Sequence, residues 1–464
     1  MSAAKLSTPQ TLSRTAGAGR AAAPVRIVHL GLGNFFRAHQ AWYTDRAPDA
    51  DRWGIAAFTG RRPVLADALG PQDGLYTLVT RGCDGDQFEI IGSISAVHTA
   101  TDHDAWLECL RSADLAIVTL TVTEAGYLRS TDGKLDRSNA QVQSDAAALR
   151  ADRSAPVASV PARLLAGLVA RERAGLDPIA IVPCDNLPDN GAVVARVVRE
   201  MAELVDPLSV GVVDRMASFA TTMVDRITPE TTELDRQVVQ DVTGWRDAGP
   251  VATEPFSEWV ISGDFPAGRP QWDRADAKVV ADVAPFEQRK LWLLNGAHSL
   301  LAYAGSIRGH ETVAEAIADE VCRKWVEQWW DEAARHLPLP AADVDAYLAA
   351  LLERFANPRI RHQLSQIAAD GSQKLPVRIL PALRVERAAG RVPAGATRAI
   401  AAWVCHLGGL GAPVTDLHAD RAVAAAAGPV AQAVPRVLAL LGDDLPRDSN
   451  VIDAVIAQIQ ELTP

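Results

Sequence analysis

Short apolar runs alternating with helical patterns organise the first 280 or so residues. Val25 to Leu30 is an apolar run that stops at Gly31, which predicts a buried strand. Phe35 to Asp45 follows as a helix, and Trp53 to Thr59 as a second strand. Ala113 to Val122 encloses Leu115-Ala-Ile-Val-Thr-Leu120, another strand apolar on both faces. Ala162 to Arg173 reads as a helix, Asp177 to Pro183 as a strand and Gly191 to Leu204 as the next helix. Strands buried on both sides and alternating with helices are the pattern of a parallel sheet covered on each face. From Phe286 the period becomes helical: 287–305, 312–334, 341–355, 360–369 and 397–407, with an Ala-rich continuation over 420–441. The expected fold is α/β, a Rossmann-like doubly wound sheet followed by a mostly α-helical domain. The boundaries expected are a flexible tail over 1–24, a dinucleotide-binding domain over 25–280, and a helical substrate and catalytic domain over 281–464.

Composition narrows the class. The 464 residues are 48% hydrophobic and 22% charged, a globular balance that is too long for one ordinary core. The formal net charge of -11 is spread along the chain, which speaks against nucleic-acid or anionic-membrane partners. No window reaches the roughly 18 apolar residues of a spanning helix. Five cysteines without C-x-x-C spacing fit a reducing, cytoplasmic setting without a disulfide framework or structural zinc. Met1 to Pro24 carries Lys5, Arg14 and Arg20 and no acid, a composition shared by disordered tails and organelle transit peptides.

Gly31-Leu-Gly33 directly follows the first strand. In a nucleotide-binding turn the first glycine makes the tight bend and the second lets backbone approach a pyrophosphate. Phe36 stands where the usual fingerprint has its third glycine, so the spelling is incomplete, and a plain glycine turn has the same first two residues. The second strand ends in Thr59-Gly60-Arg61-Arg62 rather than in the acid that binds a ribose 2′-hydroxyl. Guanidinium groups there match a 2′-phosphate, or are simply solvated loop charges, which leaves NAD against NADP open. Thr123 and Glu124 follow a strand end, where the nicotinamide side of a dinucleotide would lie. The cofactor residues expected are Gly31, Gly33, Asn34, Phe35, Arg61, Thr123 and Glu124.

Lys290-Leu-Trp-Leu-Leu-Asn295-Gly-Ala-His298 carries the chemistry. On an α-helix Asn295 lies about 140° and His298 about 80° around from Lys290, so all three are expected within one wide face, over roughly 12 Å of axis. A lysine and a histidine on an otherwise apolar helix are costly unless used or paired. Desolvation makes a lysine a general base near neutral pH, and an asparagine N–H can hold a developing alkoxide. An amphipathic helix with three polar positions has the same spelling. No H-E-x-x-H pattern accompanies it, so no metal is expected.

With these residues in hand the chain resembles the polyol-specific long-chain dehydrogenases, the mannitol 2-dehydrogenase family, which includes arabinitol dehydrogenases and fructuronate and tagaturonate reductases. The K-x-x-x-x-N-x-x-H series is matched, as are Gly31-Leu-Gly33-Asn-Phe-Phe-Arg37-Ala-His39, Thr121-Val-Thr123-Glu-Ala-Gly126-Tyr127, Cys184-Asp-Asn186-Leu-Pro-Asp-Asn190-Gly191, Met223-Val-Asp225-Arg-Ile-Thr-Pro229 and Asp370-Gly-Ser-Gln-Lys374-Leu-Pro. The resemblance implies Lys290 as acid/base, Asn186 and Asn295 as an oxyanion pocket, and His298 and Lys374 as substrate ligands. It places Asp225 and Glu287 where the family has proton-relay and gating carboxylates. It implies a metal-independent hydride transfer between a sugar alcohol, mannitol- or arabinitol-like, and NAD, with NADP possible. The partners expected are a polyol and its ketose, met by a monomer in a cleft between the domains.

Two other functions compete. A uronate reductase of the fructuronate or tagaturonate type needs an extra cation for a substrate carboxylate, for which Arg378 and Arg384 are candidates. A catalytically inert nucleotide sensor needs no base, and Lys290, Asn295 and His298 argue against it.

Overall fold

The computed structural model describes residues 10–463, and contacts divide the chain into two compact units between Ala284 and Pro285. The first is built on six parallel strands: β1 Val25–Leu30, β2 Gly54–Phe58, β3 Ile94–His98, β4 Ile117–Leu120, β5 Ile179–Pro183 and β6 Ala217–Phe219. They run side by side as β3-β2-β1-β4-β5-β6, the doubly wound order of dinucleotide-binding folds. Alternation within a strand explains the two-sided burial. Ile55 and Ala57 of β2 join one apolar cluster, while Ala56 and Phe58 join the cluster on the opposite face. The helices Val160–Arg173 and Asn190–Val205 cover one of these faces. β1 pairs with both β2 and β4, so the chain reverses direction across the sheet there. Leu30 and Leu120 are in register, which sets Gly31 beside Thr121 at the carboxyl end of the sheet.

Two features of this unit depart from the sequence pattern. Two further three-stranded sheets form, one from Val251–Thr253, Tyr76–Gly82 and Gly85–Ile91, the other from Thr221–Asp225, Glu258–Ser262 and Lys278–Val279. The expected tail is the second. Its first nine residues lie outside the described ones, but residues 10–24 are not a flexible tail. Gln10–Thr11 pairs with Trp245–Arg246, Leu12 is fully buried, and Arg14 donates to the carbonyls of Gly92 and Ile94 at 2.9 and 3.0 Å. An apolar anchor and a guanidinium satisfied by carbonyls of another strand hold this arm down.

The second unit is helical, and among its described residues no strand forms. Its longest run covers 284–307. The single helix expected over 312–334 is two, Val313–Ala318 and Glu320–Ala334. Asp319 separates them because its side chain caps the second one, accepting from Val321 N–H at 2.8 Å. Glu332 is buried against the start of Ala394–Leu407, where its carboxylate accepts from the N–H groups of Gly395 and Ala396 at 2.8 and 3.1 Å. The last helix, Ser449–Leu462, packs along Ala394–Leu407. Among the described residues no helix is long and apolar enough to cross a membrane.

Candidate active site

In the first unit the glycine turn is shaped by what lies beneath it. Gly31 has φ +111°, and a Cβ there would sit 2.0 Å from the carbonyl oxygen of Thr121, so no other residue fits. Gly33 differs. Its backbone is extended, and a Cβ would meet only Gly31 O at 3.5 Å. The protein's own packing does not demand glycine there. A phosphate lying against the backbone would, and this is the fit expected of a dinucleotide cradle.

His29 underpins the turn. It is fully buried, with Nδ1 2.8 Å from Thr119 Oγ1 and Nε2 3.1 Å from Thr121 Oγ1. Thr121 Oγ1 spends its proton on Gly31 O at 2.9 Å, so His29 must donate from Nε2 and accept at Nδ1. Burial pushes its pKa down to about 3, which keeps the ring neutral. Phe36, the misfit in the glycine fingerprint, lies flat on that ring with centroids 3.5 Å apart and planes 7° apart. Arg37 is buried as well. It donates to Gly33 O at 3.2 Å, to Asn34 Oδ1 at 2.6 Å and to the carbonyl of Gly249.

The other expected cofactor residues have mixed placements. The Asn34 amide donates to Pro229 O at 3.2 Å, so its side chain already fastens the loop at 229–231. Phe35 stacks on His39 at 5.0 Å. Arg61 and Arg62 are exposed beyond β2. Thr123 and Glu124 are exposed after β4, and Thr123 holds φ +66°, a costly backbone for a β-branched residue. Asp185 holds that loop in place. Its carboxylate accepts from Thr123 N–H at 2.7 Å, Val122 N–H at 3.2 Å and Tyr127 O–H at 2.5 Å. Asp185 was not among the residues expected to act, although an acid directly after a buried strand was a signal for it.

Asn186, next to Asp185, is exposed. Asn190 is fully buried and structural: it donates to Thr222 O at 2.8 Å and accepts from Thr222 N–H at 2.9 Å. Asp225 is buried on the strand Thr221–Asp225, in register with Glu258, whose carboxylate receives Lys278 Nζ at 2.6 Å.

In the second unit, Lys290, Asn295 and His298 lie on one continuous helix and all are buried. The helix is not an α-helix throughout. Lys290–Gly296 and Leu301–Gly305 are π-helical, with the α-helical turn Ala297–Leu300 between them. A π-helix turns once in about 4.4 residues. Asn295 therefore falls roughly 50° from Lys290 instead of the roughly 140° of an α-helix. The π turn puts the amine and the amide on one face. His298 stacks on Phe355 with centroids 4.8 Å apart and meets His362 edge-on at 4.9 Å. Glu287 stands one turn before Lys290, half-buried.

The helix Gly371–Arg378 packs against this segment and adds two cations. Lys374 Nζ donates to Ile367 O at 3.2 Å, and burial together with the charge of Arg378 holds its pKa below the ordinary lysine value. Arg378 donates to Ser299 Oγ at 3.2 Å, and its approach to Asn295 O is marginal at 3.5 Å. No carboxylate pairs with Arg378 among the described residues, and burial pushes its pKa down to about 10, which leaves it cationic at neutral pH. Arg384 is engaged elsewhere, its fork closed on Asp444 at 2.8 and 2.9 Å.

One group in this unit has the makings of a metal site. His310, Asp319 and Cys322 offer ligand atoms within 4.8 Å of one another. The Asp319 Oδ2 concerned already receives Arg308 Nε at 2.7 Å and stands 3.0 Å from His310 Nε2, so the cluster is built as an ion pair.

Residues 25–274 match the mannitol dehydrogenase Rossmann domain, and residues 282–463 the mannitol dehydrogenase C-terminal domain. The chain is 38% identical over 457 residues to D-mannonate oxidoreductase of Escherichia coli, covering 94% of this chain and 93% of that one. It is 34% identical to mannitol 2-dehydrogenase of Aspergillus fumigatus, covering 94% and 90%. Among solved structures it is similar to Pseudomonas fluorescens mannitol 2-dehydrogenase in ternary complex with NAD and D-mannitol. The TM-score is 0.78 at 32% identity, over 95% of this chain and 92% of that one.

Proposed function

From the premise that this chain belongs to the mannitol dehydrogenase family of oxidoreductases, we propose that it interconverts a secondary alcohol and a ketone on an open-chain sugar derivative, with NAD as partner and Lys290 as the acid/base. The observation that carries the reading is the π turn, which brings buried Lys290 and Asn295 onto one face. The nicotinamide, when bound, accepts or returns the hydride. Gly31 and Gly33 would hold its pyrophosphate, and the exposed loop at Thr123 and Glu124 would border its ring. In oxidation the neutral amine of Lys290 takes the proton from the hydroxyl oxygen as hydride leaves the carbon that bears that hydroxyl. Asn295 donates its amide N–H to the oxygen as charge develops there. His298 orients the substrate through a hydroxyl, its ring held by the stack on Phe355. In reduction the Lys290 ammonium returns the proton.

Two substrate classes meet this chemistry. A neutral polyol is the reading that sequence resemblance implies, and D-mannitol is the substrate named for the Pseudomonas relative. Arg378 favours the second class, a sugar acid. A half-buried guanidinium with no carboxylate partner among the described residues, beside the helix that carries Asn295, is suited to an acid group brought by the substrate. D-mannonate, named for the Escherichia coli relative, is such an acid. Initial rates of oxidation of mannitol, arabinitol and mannonate with NAD and NADP, and of reduction of fructuronate and tagaturonate with NADH and NADPH, test the proposal. Turnover of the acids well above the polyols supports the second class. Polyol turnover alone returns the reading to the first, and inactivity on all five overturns both.

A further inference from the structure

A π-helix is intrinsically less stable than an α-helix and needs partners to persist where the sequence would allow either. Leu291, Trp292, Leu293 and Leu294 are good enough α-helix formers that nothing in their identity selects the wider turn. The partners stand on the neighbouring helix Glu320–Ala334. Trp329 Nε1 donates to the carbonyl of Trp292 at 2.9 Å, and Trp330 Nε1 donates to the carbonyl of Leu293 at 2.9 Å. Two consecutive side chains thus bond two consecutive carbonyls, both inside the π turn and both between Lys290 and Asn295. The two indoles are buried, so each N–H would be costly to leave without an acceptor. The approach is close: a Cβ on Gly296 would lie 2.7 Å from the Trp329 ring, so glycine there is what lets the indole reach the carbonyl.

We propose that Trp329 and Trp330 are positioning residues that fix the π register of the Lys290 helix through their indole N–H groups, and so set the face shared by Lys290 and Asn295. Without the two donors the segment is free to tighten to an α-turn, which carries Asn295 from roughly 50° to roughly 140° away from Lys290. The side chains would remain present and buried but would no longer aim at one oxygen. A reacting group displaced on the scale of 1 Å can cost on the order of 100-fold in rate.

The proposal rests on Lys290 as the base, and the test keeps the two apart. Trp329 and Trp330 are each replaced by benzothienylalanine, which keeps the ring's shape and exchanges its N–H for sulfur. Trp329→Phe and Trp330→Phe are made in parallel, and Lys290→Ala serves as a reference. The expected result for the benzothienyl proteins is kcat lower on the order of 10–100-fold, a displaced midpoint in the pH profile of alcohol oxidation, unchanged KM for NAD, and a melting temperature close to the parent's. A folded benzothienyl protein with parental kcat and pH profile overturns the positioning role and leaves the indoles as packing. If the Phe variants fail to fold, the benzothienyl pair still decides. An active Lys290→Ala overturns the base assignment itself, whereas an inactive Lys290→Ala beside an indifferent tryptophan pair overturns only the positioning role.

Discussion

Arg378→Gln is the substitution that separates the two substrate classes most sharply. In the unliganded fold the guanidinium makes one hydrogen bond of 3.2 Å to Ser299 Oγ and a marginal approach of 3.5 Å to Asn295 O. Losing one such bond costs stability on the order of 1 kcal/mol, and glutamine can restore a donor. A bond from the same group to a substrate carboxylate is charge-assisted and contributes about 1.5–3 kcal/mol. If it forms in the transition state, its loss is roughly 10- to 150-fold in kcat/KM. The effect on an acid substrate should therefore exceed the effect on the fold. A neutral polyol has no charge for Arg378 to meet, so its kcat/KM should hold or rise. The assay is the ratio of kcat/KM for mannonate to that for mannitol, in parent and variant. A second readout comes from Lys374, whose depressed pKa owes part of its shift to Arg378. Removing that charge raises the Lys374 pKa, so the second cation keeps its proton to higher pH, and residual acid binding should persist further into the alkaline range. Equal changes for acid and polyol, or no change in either, would refute the role.

Lys290→Ala should lower turnover by about 10²–10⁴-fold while NAD affinity, measured by calorimetry, stays near the parent's. In the parent, oxidation should quicken and reduction slow as pH rises, because one needs the amine and the other the ammonium; a shared trend would place the base elsewhere. His29 should make the fold acid-sensitive. Its folded pKa, about 3, is below the ordinary histidine value of 6.5, so only the unfolded chain takes its proton between those values. Stability should then fall with acidification by up to about 1.4 kcal/mol per pH unit over that window, and a denaturation midpoint flat across it would contradict the buried neutral ring. Gly33→Ala should melt with the parent, since its Cβ meets nothing nearer than 3.5 Å. It should nevertheless weaken NAD by about 1–3 kcal/mol of steric cost, roughly 5- to 150-fold in Kd; unchanged NAD binding would remove Gly33 from the cradle.

The parallel sheet was legible because its strands are apolar on both faces, and the helical second unit because its period is sustained. What was not legible depends on contacts distant in sequence. Residues 290–296 spell an ordinary helix, and the π turn is apparent only with Trp329 and Trp330 in place. The helix expected over 35–45 breaks at His39, whose Nε2 reaches the Glu258 carbonyl at 3.0 Å, a partner 219 residues away. Phe36 looked like a flaw in a fingerprint, yet it is the lid on His29. Arg378 and Arg384 were equivalent as letters, and only Asp444 tells them apart. Of the residues put forward for catalysis, Lys290, Asn295 and His298 share a helix of the second unit, while Asn186 and Asp225 belong to the first.

The anchored arm at residues 10–24 bears on how the chain is made. Its closing contacts are with Trp245 and Arg246, and the hydrogen bond from Arg246 to Thr11 spans 235 residues. At about 5–20 residues per second, a ribosome needs roughly 12–47 s to deliver the second half of that pairing. Throughout that interval Leu12 has no finished core to enter. This early-made segment is therefore among the last of its unit to complete its contacts. Until Trp245 and Arg246 emerge, its strand edge at Gln10–Thr11 has no partner to pair with.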